Sequence, residues 1–109
     1  MALDGIAEIG ITREGGLYIR PCTTAFDEIF RAAMEVNWDP AERRLYGAKP
    51  REWSYGRWFQ QIVAAAAQEY GVRLDITTDT RWANVPDEIR AEIEAAATRR
   101  PGIHFRDGR

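Results

Sequence analysis

Side chains suited to molecular recognition are concentrated between residues 38 and 59 of the chain. This segment holds six aromatic residues, among them three of the four tryptophans, and five basic residues against three acidic ones. Tryptophan and tyrosine offer rigid contact area, and arginine offers forked hydrogen-bond donors that suit carboxylate and phosphate groups. The segment therefore predicts a binding surface, and its candidate residues are Trp38, Arg43, Arg44, Tyr46, Arg51 and Trp53.

A second set of aromatic, basic and polar residues follows at Arg81-Trp82-Ala83-Asn84. Arg81, Trp82 and Asn84 extend the candidate surface, and we expect them to line the same site as the first set. The structural alternative is that the aromatic side chains of both sets only clamp loops onto the core. The sequence leaves both interpretations open.

The residue types that most often carry catalysis or metal binding are scarce. The chain has one histidine, one cysteine and one serine, and these are His104, Cys22 and Ser54. A conventional zinc or redox site needs several nitrogen or sulfur ligands, and a hydrolase triad needs a nucleophile beside a base. We therefore predict no metal, no cofactor and no catalytic machinery, although acid-base chemistry by a carboxylate stays open.

Length, charge and cysteine use limit the class of protein further. The 109 residues fit one domain, 1–109, with 101–109 as a candidate flexible tail, and the formal net charge is -2. Nucleic-acid binders usually carry a basic excess, so this balance argues against nucleic acid as the partner. No run of about 18 apolar residues is present, which argues against a membrane span. A single cysteine fits a reducing cytoplasm.

Two strands and an amphipathic helix are predicted in the first third of the chain. Alternating apolar residues over Ile6–Thr12 and Leu17–Arg20 flank paired glycines, which favour a hairpin turn. Apolar residues at helical spacing then predict a helix over Thr24–Asn37. Trp38–Trp53 contains two prolines and a glycine, so we predict a long loop with one helical turn at Ala41–Tyr46.

The helix Tyr55–Tyr70 has the clearest local signals in the second half. It carries a broad apolar stripe, Ser54 is suited to cap its start, and Gly71 is suited to end it. We predict it as the buried spine of the domain. The remaining predictions are a strand over Val72–Thr77, a loop over Thr78–Val85, an acidic helix over Pro86–Arg99, and a short edge strand or tail at Ile103–Arg106.

The predicted order of elements is strand, strand, helix, long loop, helix, strand, helix. Three strands cannot cover three helices on both faces at this size. We therefore predict an α+β domain in which a small antiparallel sheet, a hairpin plus one central strand, packs on about three helices.

Several short stretches resemble a known group of proteins. They are Trp38-Asp39, Arg51-Glu52-Trp53-Ser54-Tyr55, Trp58-Phe59, Glu69-Tyr70-Gly71-Val72 and Asn84-Val85-Pro86. In these stretches the chain is similar to the small proteins of bacterial mobile gene cassettes, the integron cassette proteins. The resemblance implies a small α+β domain, often oligomeric, without an assigned activity and without catalytic residues to carry over.

The functional prediction is a small, cytoplasmic, non-catalytic binding or interaction protein. We expect a homo-oligomer, most simply a dimer. The twelve aromatic residues are many for the one modest core that the predicted elements form, and three strands leave sheet edges that must be covered or paired. One form is an immunity-like or antitoxin-like protein whose acidic last helix meets a basic protein partner. The alternatives are a small-ligand binder or enzyme with an aromatic pocket near Trp38, Trp53 and Trp82, and a single-stranded nucleic-acid binder.

Overall fold

The protein is an α+β domain built on a five-stranded sheet. The computed structural model describes residues 2–27, 29, 36–47 and 54–98. In chain order the described elements are β1 (Ala2–Ile11), β2 (Leu17–Pro21), β3 (Asn37–Asp39), β4 (Arg44–Tyr46), α1 (Tyr55–Tyr70), β5 (Val72–Ala83) and α2 (Asp87–Thr98). The predicted fold class is confirmed, with two helices in the part of the chain that the structure describes.

The sheet is mixed rather than antiparallel, which corrects the predicted topology. Its strand order is β3-β4-β2-β1-β5, and β1 pairs with β5 in parallel while every other pair is antiparallel. Parallel neighbours need a long crossover connection, and α1 immediately precedes β5. The amide of Ala2 donates to the carbonyl of Gly71 (2.9 Å), so both strands start at the same end of the sheet.

The predicted hairpin of β1 and β2 is confirmed. Its turn uses Gly15 at a φ of 90°, a conformation that glycine adopts without steric cost. The Thr12 hydroxyl accepts a hydrogen bond from the Gly16 amide at 3.0 Å and closes the turn. Ile9 and Ile19 face each other across the strands and are both fully buried, which fixes the register.

A second hairpin, β3–β4, replaces part of the predicted long loop, and the predicted helical turn at Ala41–Tyr46 is wrong. The Asp39 carboxylate accepts from the amides of Ala41 (3.0 Å) and Glu42 (3.2 Å), and Arg43 adopts a φ of 55°, so the chain turns tightly into β4 instead of continuing as a helix. Strand pairing places Leu45 in the core at 0% exposure, a burial that an isolated turn would not provide. The rest of the predicted loop, 48–53, lies outside the described residues.

Half of the predicted helix Thr24–Asn37, residues 28 and 30–35, lies outside the described residues. At its described ends the prediction is wrong, because residues 24–26 are irregular and Asn37 opens β3.

The buried Asp4 carboxylate accepts from the amides of Thr24 (2.8 Å) and Thr23 (3.3 Å). Burial alone would raise the pKa of Asp4, but these hydrogen bonds outweigh it and lower the pKa below 3.8.

Helix α1 spans the residues predicted for it and forms the centre of the core. The Ser54 hydroxyl accepts from the Arg57 amide, and Gly71 ends the helix at a φ of 64°. Its stripe lies against the sheet and α2, and the fully or nearly fully buried members are Trp58, Phe59, Ile62, Ala65 and Ala66. The prediction of a buried spine is confirmed.

Strand β5 is longer than predicted, so the predicted loop Thr78–Val85 is wrong over Thr78–Ala83. The strand bulges opposite β1, where Ile6 pairs with Ile76 and Glu8 pairs with Arg81. Inside the bulge the Thr80 hydroxyl donates to the Ile6 carbonyl (2.6 Å) and accepts from the Thr77 amide (2.9 Å). Within the bulge, threonine side chains thus take the place of backbone hydrogen bonds between β1 and β5. Because these residues are polar, this part of β5 looks like a loop in the sequence.

Helix α2 confirms the predicted last helix, apart from its end residues. It packs on α1, where the Glu92 carboxylate accepts from the Gly56 amide at 2.9 Å and the Gln60 side chain donates to the Ala96 carbonyl at 3.1 Å. The predicted strand or tail at Ile103–Arg106 lies outside the described residues.

Candidate functional site

Both helices pack on one face of the sheet, and the opposite face, called here the open face, carries an ordered polar cluster. The register places Glu8 beside Arg20 on β2 and beside Arg81 on β5, all on the open face. Tyr18 lies opposite Gly10 and Tyr46 on the same face. Because side chains alternate along a strand, these residues point away from the core formed by their neighbours.

Glu8 is the centre of this cluster. Its carboxylate accepts from the Tyr18 hydroxyl (2.6 Å) and forms ion pairs with Arg20 (2.6 Å) and Arg81 (3.5 Å). The Glu8 side chain is 13% exposed, so its contacts with Tyr18 and Arg20 are largely shielded from water, whereas the Arg81 side chain is 73% exposed. Burial, followed by the hydrogen bond to Glu8, raises the pKa of the Tyr18 phenol above 10.0. Tyr18 therefore stays protonated and remains a hydrogen-bond donor.

Arg44 differs from the other arginines of the open face. Its guanidinium lies over the Tyr18 ring, 4.3 Å from the ring centroid. Arg20 pairs with Glu8 and Glu42, and Arg81 pairs with Glu8. Among the described residues no carboxylate forms an ion pair with Arg44. Its forked donors are thus held in place by an aromatic ring and remain available to a ligand.

Arg44 lines a half-open cleft of about 930 Å³ at the turn end of the β1–β2 hairpin, called here the Arg44 cleft. The cleft lies between that hairpin, the β3–β4 hairpin and the start of α1. Tyr46 is 42% exposed and offers an aromatic surface beside Arg44. The described lining residues are Thr12, Glu14, Gly15, Gly16, Leu17, Asn37, Asp39, Arg44, Tyr46, Gly47 and Tyr55.

The structure brings together only part of the predicted site. Arg44 and Tyr46 lie in the cleft, while Arg51 and Trp53 lie outside the described residues. Trp38 and Trp82 pack against the core on the helix face, so they do not form a joint pocket. They sit on β3 and β5, the two edges of the sheet, about 19 Å apart at about 4.8 Å per strand.

The remaining predicted residues make contacts away from the cleft. Arg43 lies over the Trp38 ring at 5.8 Å and donates to the Thr23 carbonyl. Arg81 joins the Glu8 cluster, and the exposed Asn84 adopts a φ of 59° directly after β5.

Of the described residues that line the cleft, the sequence predicted only Arg44 and Tyr46 as site residues. The most important residues that it missed are Asn37 and Asp39, which line the cleft, and Tyr18, which supports Arg44. Tyr18 alternates with Leu17 and Ile19 in the predicted strand, so the pattern already placed it on the face away from the core. The signal for the other two was the Asp39-Pro40 pair, which is typical of a turn and would have indicated the β3–β4 hairpin.

Two further structural findings concern metal sites and membrane spans. Within residues 2–27, 29, 36–47 and 54–98, no three His, Cys, Asp or Glu side chains are grouped as metal ligands would be. Neither described helix combines the length and the apolar character that a membrane crossing requires.

Comparison with known proteins identifies the family. Residues 4–80 match the model of the integron cassette protein Hfx_Cass5. The chain belongs to this family. A solved structure, the integron cassette protein Hfx_Cass5 from the mobile metagenome of the North West Arm sewage outfall, is 46% identical over 90% of this chain and 98% of that chain, with a TM-score of 0.44. No curated protein matches.

Membership of the Hfx_Cass5 family confirms the resemblance to integron cassette proteins. The matched region runs from β1 into the bulge of β5 and includes every described residue that lines the Arg44 cleft. Arg81, Trp82 and Asn84 lie beyond the matched residues.

Proposed function

We propose that this integron cassette protein binds a small molecule that carries a carboxylate, and that the Arg44 cleft is the binding site. The observation that carries the proposal is the state of Arg44. Its guanidinium is positioned on the Tyr18 ring, whereas Arg20 and Arg81 on the same face of the sheet are paired with carboxylates. A guanidinium binds a carboxylate through two parallel hydrogen bonds, which gives both strength and orientation.

The dimensions and lining of the cleft fit a small ligand. Its volume of about 930 Å³ lies within the range of about 300–1,000 Å³ that small-molecule sites occupy. Tyr46 adds an exposed aromatic surface, and the Asn37 amide and Thr12 hydroxyl add hydrogen-bonding groups. Because Tyr18 holds the Arg44 side chain, less conformational entropy is lost on binding. The proposal requires no covalent step.

The structure gives less support to a basic protein as partner of α2. Of the acidic residues on this helix, Glu92 accepts from the Gly56 amide and Glu94 pairs with Arg90 at 3.3 Å. Only Asp87 and Glu88 remain without such contacts among the described residues. Two of the acidic side chains of α2 are therefore engaged in contacts within the domain, and the cleft is the better-supported binding site.

Replacing Arg44 by glutamine tests the proposal. We expect calorimetric titration of the wild type with L-phenylalanine and 3-phenylpropionate, which share a carboxylate, to show binding of at least one. The Arg44→Gln variant should bind the tighter probe about tenfold or more weakly, because a hydrogen bond to a charged group contributes about 1.5–3 kcal/mol. Loss of the contact with Tyr18 should cost only about 0.5–1 kcal/mol of stability.

Arg13→Gln is the matched control for this experiment. Arg13 is exposed in the β1–β2 turn near the cleft and does not line it. The variant should bind both probes as the wild type does. The proposal is contradicted if neither probe binds the wild type, or if Arg44→Gln and Arg13→Gln bind equally well.

We also propose that two copies associate through the open face near the start of β1. Leu3 supports this proposal, because it is 71% exposed and lies on the open face opposite Arg73. An exposed leucine gains free energy when a partner covers it. Leu3 is about 30 Å along β1 from Thr12, so a dimer formed there leaves the Arg44 cleft accessible.

Sedimentation equilibrium tests this association. We expect a dimer for the wild type at micromolar concentration and a shift towards monomer for Leu3→Ser. Gln68→Ser, at an exposed position of α1, should leave the dimer unchanged. A wild-type monomer, or a Leu3→Ser dimer of unchanged stability, would show that this face does not associate.

A further inference from the structure

The Arg44 cleft holds a carboxylate opposite its cation. Asp39 on β3 is the direct cross-strand partner of Arg44 on β4, and both residues line the cleft. Oppositely charged residues at such positions commonly pair. Here they do not, because the Arg44 guanidinium lies over Tyr18 on β2.

One oxygen of the Asp39 carboxylate is occupied and the other is available. Oδ1 accepts from the amides of Ala41 and Glu42, which holds the side chain in place at the turn. Oδ2 makes no hydrogen bond with any described residue. The cleft therefore presents a positioned cation and a positioned anion that do not neutralise each other.

This pair of charges selects against a ligand with one charge only. A simple carboxylate attracted by Arg44 also meets the repulsion of Asp39, and Glu14 adds a second carboxylate to the lining. A simple amine attracted by Asp39 meets Arg44. A molecule with both a carboxylate and an ammonium group satisfies both side chains, which is the way binding sites gain specificity from complementary charge.

We propose that the ligand of the Arg44 cleft is an α-amino acid with an apolar or aromatic side chain, bound by its carboxylate to Arg44 and by its ammonium group to Asp39. This inference rests on the proposed function and specifies the class of ligand. An α-amino acid carries both groups on one carbon, and Arg44 and Asp39 face each other on neighbouring antiparallel strands at the cleft. Tyr46, with its exposed ring, gives the ligand side chain an aromatic surface.

Three probes that share a phenylethyl skeleton test the inference. L-phenylalanine carries both charges, 3-phenylpropionate lacks the ammonium group, and phenethylamine lacks the carboxylate. We expect calorimetry of the full chain to rank L-phenylalanine at least tenfold tighter than either of the other two. Each missing group removes one charge-assisted contact.

Asp39→Asn is the decisive variant. Asparagine keeps an oxygen at Oδ1 to hold the β3–β4 turn and replaces the charged Oδ2 by a neutral NH2 group, which cannot accept from an ammonium group. Circular dichroism and thermal melting check that the fold is retained. L-phenylalanine should bind this variant about tenfold or more weakly, while 3-phenylpropionate should bind unchanged or more tightly. Asp79→Asn removes an exposed carboxylate in the β5 bulge and should change neither affinity.

The outcomes separate this inference from the proposed function. If 3-phenylpropionate binds as tightly as L-phenylalanine, or if Asp39→Asn leaves the binding of L-phenylalanine unchanged, the ammonium subsite is wrong. Binding that still depends on Arg44 would in that case uphold the carboxylate site. If no probe binds the wild type, both the site and its ligand class are wrong.

Discussion

Replacing Ile62 by alanine is expected to lower the free energy of unfolding by about 2–5 kcal/mol. Ile62 is fully buried in the middle of α1, in the core cluster that joins the helices to the sheet. The substitution removes apolar contacts and leaves a cavity that the surrounding side chains fill only in part, so both terms destabilise the fold. Urea-induced unfolding followed by circular dichroism measures the change.

Gln68→Ala provides the control on the same helix. Gln68 is exposed near the end of α1, and its replacement should change the free energy of unfolding by no more than about 0.5 kcal/mol. A similarly small effect of Ile62→Ala would show that α1 lies at the periphery of the core and not at its centre.

Replacing Gly10 by alanine is expected to lower the free energy of unfolding by about 1–3 kcal/mol. The Tyr18 ring lies directly over Gly10, and a Cβ atom at this position would overlap the ring. Tyr18 must then move, which breaks its hydrogen bond to Glu8 and withdraws the support of Arg44. We expect Gly10→Ala to weaken ligand binding in the Arg44 cleft as well.

Gly5→Ala is the matched control on the same strand and face. Its Cβ would meet Cys22 Sγ at 3.4 Å and Thr77 Cγ2 at 3.6 Å, which are ordinary contacts. We expect stability to be unchanged or slightly raised, because alanine restricts the unfolded chain more than glycine does.

A double-mutant cycle isolates the clash at Gly10. In a Tyr18→Ala background the ring is gone, so Gly10→Ala should lose most of its cost, and the two substitutions should couple by about 1 kcal/mol or more. Equal effects of Gly10→Ala in the two backgrounds would show that the Tyr18 ring does not lie on this glycine.

The elements predicted well from the sequence are those with local signals. Helix α1 has its cap residue, its apolar stripe and its terminal glycine within one stretch of chain, and the structure places Ser54 and Gly71 at its ends. The β1–β2 hairpin likewise depends on alternation and on a glycine turn that are contiguous in sequence. These signals are local, so they can be recognised without knowledge of any tertiary contact.

The errors arise where tertiary contacts decide the structure. Strands β3 and β4 have three residues each, too few for a clear alternation. They are stabilised by tertiary pairing, β4 with β2 and β3 with β4. The bulge of β5 depends on one hydrogen bond, from the Thr80 hydroxyl across to the Ile6 carbonyl. Such non-local pairing is invisible to a periodicity argument.

The candidate site was predicted in part for the same reason. Composition indicated Arg44 and Tyr46, because aromatic and basic residues cluster in their segment. It also indicated Trp38 and Trp82, but the alternation of side chains along β3 and β5 places both of them on the face that packs against the core. The contact between Arg44 and Tyr18 joins residues 26 positions apart and requires the sheet order to be known.

Nuclear magnetic resonance mapping of the bound probe tests the central claim most directly. Uniformly ¹⁵N-labelled protein would be titrated with L-phenylalanine while backbone amide and arginine Nε–H signals are followed. We predict saturable shifts at Gly16, Tyr46, Gly47 and the Arg44 side chain, all of which surround the cleft. Shifts confined to α2 or to the Leu3 end of β1, with the Arg44 signals unmoved, would contradict a ligand site at Arg44.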